Sequence, residues 1–346
     1  MDKKKLITSL VFIIIVGAVI ISLTVSKKSY AVGTTLVDTV KALNKGSSWS
    51  AGASGVYYTN SHEYRYVGAE VNNYVKFNND LYRIIGVFDS NSHGVTGTEL
   101  VKLIRARSLG GYSWGAYNTD NSAGTYSGYA NDWTGKSKTS KANLNVLLNE
   151  YFYNKTDTSG TYGDCANWTY YNSNNSYKTK DCSNIITYGI DSSLRGYIET
   201  TTWYLNGSGT NQSKQNWYLC ERGGNSCTSS GPSTGDTSVN SKIGLMYLSD
   251  YLYASGYYAS TDTTTQSTQY FGNKNWLYKG YEWTLTPYAS GTNTVWIVDS
   301  GNANYSYTNF PYVSRPTFYL KSSVYVTGGN GSFDNPYTIA CDNCTE

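Results

Sequence analysis

The residues of this chain that could do chemistry are few: six cysteines, two histidines and a thin scatter of carboxylates among 346 residues. The cysteines fall in three close pairs, Cys165 with Cys182, Cys220 with Cys227, and Cys341 with Cys344. Outside a membrane an even count at short spacing reads as disulfides, and nearest-neighbour pairing, each bridge stapling a local loop, is the expectation from proximity. Cys341-Asp342-Asn343-Cys344 also has the spacing of a redox motif. That motif normally opens a helix in a thioredoxin-like unit, whereas here no helical pattern follows it. A zinc site that added Cys220 and Cys227 would need closed four-ligand geometry, for which their spacing is atypical. No metal or other cofactor is expected.

The two histidines, His62 and His93, read as surface residues, and neither has a Ser or Cys in a nucleophile-elbow setting. Asp89, Asp132, Glu199, Asp250, Glu282 and Asp299 could supply a carboxylate pair for glycoside cleavage, with Glu282, between Tyr281 and Trp283, the first choice. Such a pair is recognised by its separation in space, and a strand-edge carboxylate beside core aromatics is the simpler reading of Glu282. Asp120-Asn121-Ser122 lacks the further acidic positions of a calcium loop. Gly328-Gly329-Asn330-Gly331 lies between strand patterns, where glycines supply turns rather than a phosphate cradle.

Aromatic residues are far more abundant, with 36 tyrosines and nine tryptophans against two methionines and five prolines. Flat rings near turns can stack on sugars or anchor a protein partner. Trp283 and Trp296 sit in strand patterns and are assigned to the core. Trp114 and Trp133, with Tyr112 and Tyr117 in the loop from Gly110 to Gly135, are the ligand-binding candidates. Low charge, 27 Lys plus Arg against 24 Asp plus Glu, excludes a basic nucleic-acid footprint. The Tyr, Ser, Thr, Asn and Gly that replace it are the palette of a β-rich extracellular surface.

These residues must be positioned by a chain that begins with Lys3-Lys4-Lys5 and an uncharged stretch from Leu6 to Val25. About 20 apolar residues can cross a bilayer, and the lysines would keep their own side in the cytoplasm. Residues 1–31 are therefore expected to be a signal anchor held in the membrane through residues 6–25, or a signal peptide cleaved after Ala31. Residues 32–55, small and Gly/Ser-rich, read as a stalk, and 56–346 as a single extracellular domain.

Within that domain Tyr74 to Phe77, Leu81 to Phe88 and Thr98 to Ile104 predict three antiparallel strands, the first two joined by a turn at Asn78-Asn79-Asp80. Leu144, Leu147, Leu148, Tyr151 and Phe152 recur at helical spacing between Ser140, a candidate cap, and Asn154. A second short helix is expected at Asp250 to Ala254, after a strand-like Ile243 to Tyr247. Residues 155–240 read as a long, irregular, disulfide-tied insertion interrupted by a strand-like Tyr197 to Leu205. Glu282 to Leu285, Thr294 to Asp299, Thr317 to Lys321 and Ser323 to Thr327 read as late strands that complete the sheet. The fold class is α+β, mainly antiparallel sheet with one or two helices.

Several strings together carry a resemblance: Leu81-Tyr82-Arg83-Ile84-Ile85-Gly86-Val87-Phe88, the run from Lys242 to Tyr251, Glu282-Trp283-Thr284-Leu285-Thr286-Pro287, and the run from Val313 to Lys321. In this order, over residues 74 to 337, they resemble a group of functionally uncharacterised exported proteins of Gram-positive-lineage gut bacteria. The ending is also similar to domains that look distantly like the C-type-lectin-like and formylglycine-generating-enzyme fold, with Val313-Ser314-Arg315-Pro316 in place of the late arginine string that closes that sheet. The resemblance does not imply calcium-dependent sugar binding, because the Glu-Pro-Asn, Gln-Pro-Asp and Trp-Asn-Asp strings do not occur and Asn131-Asp132-Trp133 has another order. Nor does it imply formylglycine chemistry.

The sequence thus points to a cell-surface, non-catalytic, adhesin-like protein that recognises extracellular glycan or protein through aromatic loops. A carbohydrate-active enzyme with a carboxylate pair and a structural coat component are the alternatives. An enzyme needs converging carboxylates in a cleft, a binder an exposed aromatic patch, and a coat protein self-association.

Overall fold

A computed structural model of the chain describes residues 33–115, 131–135, 141–155, 169–171, 177–179, 183–224, 235–256 and 274–346. The expected membrane segment, the cleavage site at Ala31, the Ser140 cap, Tyr117, Cys165, Cys182 and Cys227 lie outside the described residues. Thr35–Glu346 forms one compact unit. Among the described residues no helix is long and apolar enough to cross a membrane.

The unit opens with helix α1 (Leu36–Ala42), capped by the Thr35 side chain, which accepts from the Asp38 amide. Strands β1 (Gly55–Tyr58), β2 (Tyr64–Val67), β3 (Tyr74–Phe77) and β4 (Asp80–Phe88) follow, then helix α2 (Ser90–His93), β5 (Leu100–Arg105) and β6 (Gly111–Tyr112). Next come α3 (Asn143–Val146), continued by the π-helical turn Leu147–Phe152, the hairpin of β7 (Thr169–Tyr171) and β8 (Tyr177–Thr179), α4 (Ser183–Thr187) and α5 (Ser192–Arg195). After them lie β9 (Thr201–Tyr204), α6 (Lys214–Glu221), β10 (Ser238–Ser241) and α7 (Leu248–Tyr253). The last part supplies β11 (Glu282–Pro287), β12 (Thr294–Asp299), β13 (Asn302–Tyr307), β14 (Tyr312–Val313), β15 (Thr317–Leu320), β16 (Tyr325–Gly328) and β17 (Tyr337–Ala340). This is an α+β fold of mostly antiparallel sheets.

Strand β4 organises the larger sheet, ordered β1-β2-β4-β3-β17-β16, with β5 on the other edge of β4 and β15 on β5. One edge of β4 serves two partners in turn. Its first half pairs with β3, from Phe77↔Asp80 to Tyr74↔Arg83, and its second half with β2 at Arg65↔Gly86 and Tyr64↔Val87. Gly86 permits that second contact, since a Cβ there would stand 2.2 Å from the Tyr64 carbonyl oxygen. The β3–β4 turn carries Asn78 at φ 54° and Asn79 at φ 56°. Positive φ at both central residues is what a two-residue hairpin turn matching strand twist requires, and Asn tolerates it best after Gly. Ser300 and Gly301, at φ 47° and 91°, do the same between β12 and β13. The sheet that begins at β1 is completed by β15, β16 and β17, with β17 parallel to β3.

The second sheet runs β13-β12-β11-β14-β6, with β11 and β14 parallel. Helix α7 packs on β11, β12 and α6, and all six of its residues are buried. The core is strongly aromatic: Trp217 meets Trp296 edge to face at 4.8 Å, and Trp203 lies against Tyr319 and Tyr247. A Cβ on Gly244 would stand 2.5 Å from the Trp203 ring. Leu144, Leu147, Leu148, Tyr151 and Phe152 are all buried along the predicted helical stripe.

Several expectations are corrected. Residues 32–55 are not a free stalk: Leu36, Val37 and Val40 of α1 and Trp49 are buried, because the helix turns its apolar side onto the sheet. Within 155–240 the described residues hold β7, β8, α4, α5, β9, α6 and the start of β10. Ile243 to Tyr247 is no strand but a single bridge at Gly244 to Thr317. The Asp250 carboxylate accepts the Tyr247 amide at 2.9 Å and turns the chain into α7 instead.

Candidate functional site

A cleft of about 430 Å³ opens where the β1–β2 turn, α2, β9 and α6 meet. Its wall is made by Asn60, Ser61, Asn91, Gln215, Tyr218 and Arg222, with His62, Ser90, Tyr204, Leu219 and Gly224 completing it. That volume falls within the range of about 300–1,000 Å³ typical of small-ligand sites.

Local sequence explains how each wall is set. Asp89 caps α2 by accepting from the Asn91 amide and side chain, both at 3.0 Å, and Gly94 at φ 74° ends it. This single turn leaves Asn91 at the cleft and sends Ser92 and His93 inward. Helix α6 starts with the Ser213 hydroxyl accepting from the Asn216 amide at 3.1 Å. It ends in a paired motif, Gly224 N–H to the Leu219 carbonyl at 2.8 Å and Gly223 N–H to the Cys220 carbonyl at 2.9 Å, with Gly223 left-handed at φ 79°. Arg222 is the C-cap between them, where a cation complements the negative end of the helix.

Beneath the wall lies a buried polar network. Arg65 donates from Nε to Glu63 at 2.9 Å and from Nη1 to Asp250 at 2.8 Å, and Lys102 Nζ donates to the other Asp250 oxygen at 2.6 Å. Ser92 gives its one proton to Glu63, so its oxygen accepts from Tyr218 at 3.0 Å and from Arg222 Nε at 3.2 Å. The chain of contacts therefore runs from Lys102 in the core to Arg222 at the cleft. Glu221 turns the other way, accepting from the Ser249 amide at 3.1 Å, from Thr286 at 2.7 Å and from the Ser249 hydroxyl.

Burial sets the electrostatics. It would raise the Asp250 carboxyl, but Lys102 and Arg65 outweigh it and hold the group at about 2. Burial draws the Lys102 ammonium down to about 8 against the pull of Asp250. Tyr247, Trp203, Tyr319 and Phe88 surround that ammonium within 4.4 to 5.5 Å of their ring centres. The Glu221 carboxyl is pushed up by burial despite Arg222 and the two hydroxyls.

His93 is buried, not on the surface as expected. Its Nδ1 accepts from the Val95 amide at 3.2 Å, so Nε2 carries the proton and donates to the Phe88 carbonyl at 3.1 Å. Burial lowers its pKa and favours this neutral ring. His62 stays exposed on the cleft rim at φ 58°, its Nδ1 3.3 Å from the Tyr58 hydroxyl.

Three of the four ligand-binding candidates, Trp114, Trp133 and Tyr112, are covered by the fold, and Tyr117 lies outside the described residues. Trp114 and Trp133 are 1% and 2% exposed and pack on each other at 5.1 Å, and the Trp114 indole donates to the Thr284 carbonyl at 3.0 Å. Tyr112 is buried too, because β6 pairs with β14 and its carbonyl accepts from the Trp283 indole at 2.8 Å. Rings of this size remove about 150–250 Å² from water, and the Tyr112 hydroxyl donates to the Leu109 carbonyl at 3.3 Å. Exposed rings among the described residues include Tyr188, Tyr281, Tyr305, Tyr307 and Phe333, at 40–59% exposure. Cys341 and Cys344 form a disulfide, and Cys220 is disulfide-bonded to a partner outside the described residues.

The carboxylates considered for catalysis do not gather. Glu282 is clamped by Arg315, Asp250 by Arg65 and Lys102, and Asp132 accepts from the Gly135 amide at 3.0 Å. Asp89 is a helix cap, Asp299 accepts from Asn304 at 2.7 Å and Glu199 from the Thr200 amide at 3.0 Å. Among the described residues no carboxylate lines the cleft. Among the described residues no group of three or more His, Cys, Asp or Glu could hold a metal ion.

Sequence reasoning missed Asn60, Asn91, Gln215, Tyr218 and Arg222. The available signal was Ser213 as a helix start and Gly223-Gly224 as a stop, which together frame α6. Compared with known proteins, the chain matches no family model, no curated protein and no solved structure. The resemblance carried by its strand strings has no counterpart among them.

Proposed function

We propose that this chain is an exported, cell-surface, non-catalytic binding protein that takes a glycan in the cleft between α2 and α6. The observation that carries this reading is the composition of the wall. Three primary amides, Asn60, Asn91 and Gln215, stand beside the Tyr204 and Tyr218 side chains, with no carboxylate among the described lining residues. Amides offer donor and acceptor together, which suits the hydroxyls of a sugar, and the Tyr204 ring, the less buried of the two, offers a flat face for its C–H bonds.

The amides are already oriented. Tyr253 donates to Asn60 Oδ1, and Asn60 Nδ2 donates to Gln215 Oε1 at 3.0 Å. The Ser61 hydroxyl, 2.8 Å from Tyr253, then donates to that phenol oxygen. Fixed polar groups bind at lower entropic cost than mobile ones. An enzyme built on a carboxylate pair finds no support in this wall, and the export reading rests on the lysine-flanked apolar stretch from Leu6 to Val25.

A glycan array probed with the full chain in mild detergent tests the proposal. Saturable binding to one glycan class, lost in the Asn91→Ala/Gln215→Ala variant without a change in melting temperature, is expected. Binding that survives this double substitution would remove the cleft as the site.

A further inference from the structure

We propose that the cleft selects sugars bearing an acid group, carboxylate or phosphate, and that Arg222 is the residue that reads the charge. The inference rests on the glycan reading of the cleft and names the class of glycan.

Arg222 is built into the wall rather than draped over it. Its side chain is 7% exposed, its guanidinium lies 3.8 Å from the centre of the Tyr218 ring, and it is the C-cap of α6. Nε donates to Ser92 at 3.2 Å and Nη1 to the Tyr218 carbonyl at 3.1 Å. Nη2, buried, has no hydrogen-bond partner. A guanidinium is a planar fork suited to a two-oxygen anion, and a buried donor left unpaired is costly.

The carboxylates nearby do not fill that role. Glu63 is held behind Ser92 and is paired with Arg65. Glu221 meets Arg222 through a single 3.5 Å contact while its oxygens serve Ser249 and Thr286. Asp250 is engaged by Arg65 and Lys102. Each other cation of the network thus has a close carboxylate, and Arg222, the one that lines the cleft, has only a long contact. The amides around it would take the hydroxyls of the same sugar ring, so the wall reads as one recognition surface: an acid group at Arg222 and neutral hydroxyls at Asn60, Asn91 and Gln215.

The test is isothermal titration of the full chain with three probes: an oligogalacturonate, a glycerol-phosphate-substituted oligosaccharide and a matched neutral galacto-oligosaccharide. One acidic probe should bind at least about tenfold tighter than the neutral one, since charge-assisted hydrogen bonds contribute about that much, and the tighter of the two names the acid group. Arg222→Gln should abolish the acid preference, so that the variant binds that probe and the neutral sugar with the same affinity. Equal affinity for all three probes, or an acid preference that survives Arg222→Gln, overturns the role of Arg222 while leaving the cleft as a glycan site. Failure of all three to bind overturns the glycan reading itself. Should Arg222→Gln not fold, Arg222→Lys, which keeps the charge but not the fork, decides: unchanged acid affinity overturns the inference, and a marked loss upholds it.

Discussion

Arg315 and Arg222 are both largely buried arginines, and the protein treats them differently. Arg315 grips Glu282 with two parallel contacts, Nε to Oε1 at 2.6 Å and Nη2 to Oε2 at 2.7 Å, and adds the Leu277 carbonyl at 2.7 Å. Arg222 has neutral oxygens and one carboxylate at 3.5 Å. Each leaves one guanidinium nitrogen unpartnered, Nη1 in Arg315 and Nη2 in Arg222. An orphan donor by itself therefore does not mark a site. What separates the two is the form of the carboxylate contact, two short bonds at Arg315 against one long one at Arg222, and whether the residue faces a cleft. Arg315 closes the end of β11 against β14, while Arg222 sits at a helix end in the cleft wall.

Substitutions can break that comparison, and the largest effect is expected at the closed pair. Glu282→Gln strands the Arg315 charge, and removal of one partner of a buried ion pair typically costs about 3–5 kcal/mol. Denaturant unfolding measures it, and a loss below about 1 kcal/mol would mean that Arg315 is no better answered than Arg222. Trp114→Ala should cost about 3 kcal/mol by the usual scale for aromatic truncation in a core, read as a lower melting temperature. If the variant lost ligand binding at unchanged stability, the tryptophan would belong to the site after all.

The acid limb of stability sharpens the same contrast for Asp250. Its folded pKa of about 2 lies below the ordinary 3.8, so its contribution is present above about pH 4 and is lost as pH falls towards 2. The full shift is worth about 2 kcal/mol, and Asp250→Asn should remove that part of the pH dependence while leaving Arg65 and Lys102 poorly compensated. A wild-type melting temperature that stays flat from pH 5 to pH 2 would contradict it. The smallest effect is expected at the open arginine: Arg222→Gln should cost about 1 kcal/mol, the value of a typical hydrogen bond. A loss as large as that of Glu282→Gln would make Arg222 a structural residue and erase the difference.

Much of the fold was legible in the sequence because its signals are local. Asn78-Asn79 between two apolar runs announces a hairpin, and β3 and β4 pair in the register it sets. The stripe from Leu144 to Phe152 is helical by spacing, and all five of its predicted apolar residues are buried. β13 and β17 escaped notice because Asn302 to Tyr307 and Tyr337 to Ala340 are too polar or too short to read as strands; their neighbours recruit them. The same holds for α1, which only the sheet beneath it makes more than a polar linker.

The candidate site was the less legible part, and the reason is physical. Tyrosine and tryptophan serve a wet surface or a core equally well, since each joins a large apolar ring to one polar atom. Nothing local to Trp114 or Trp133 states that they lie against each other under β11; strands more than 140 residues away in sequence decide it. Arg222 likewise gains its meaning from Ser92 and Tyr218, one distant in sequence and the other a helical turn away.

By itself the sequence determined the turns, the strand-rich α+β class, the helical stripe and the bridge between Cys341 and Cys344, because each depends on residues close together along the chain. Only the tertiary structure decided which aromatic rings are covered, which charges are answered and which arginine stands at a cleft. Burial and electrostatic pairing are set by what the rest of the chain brings within a few ångströms, and no short stretch of sequence contains that information.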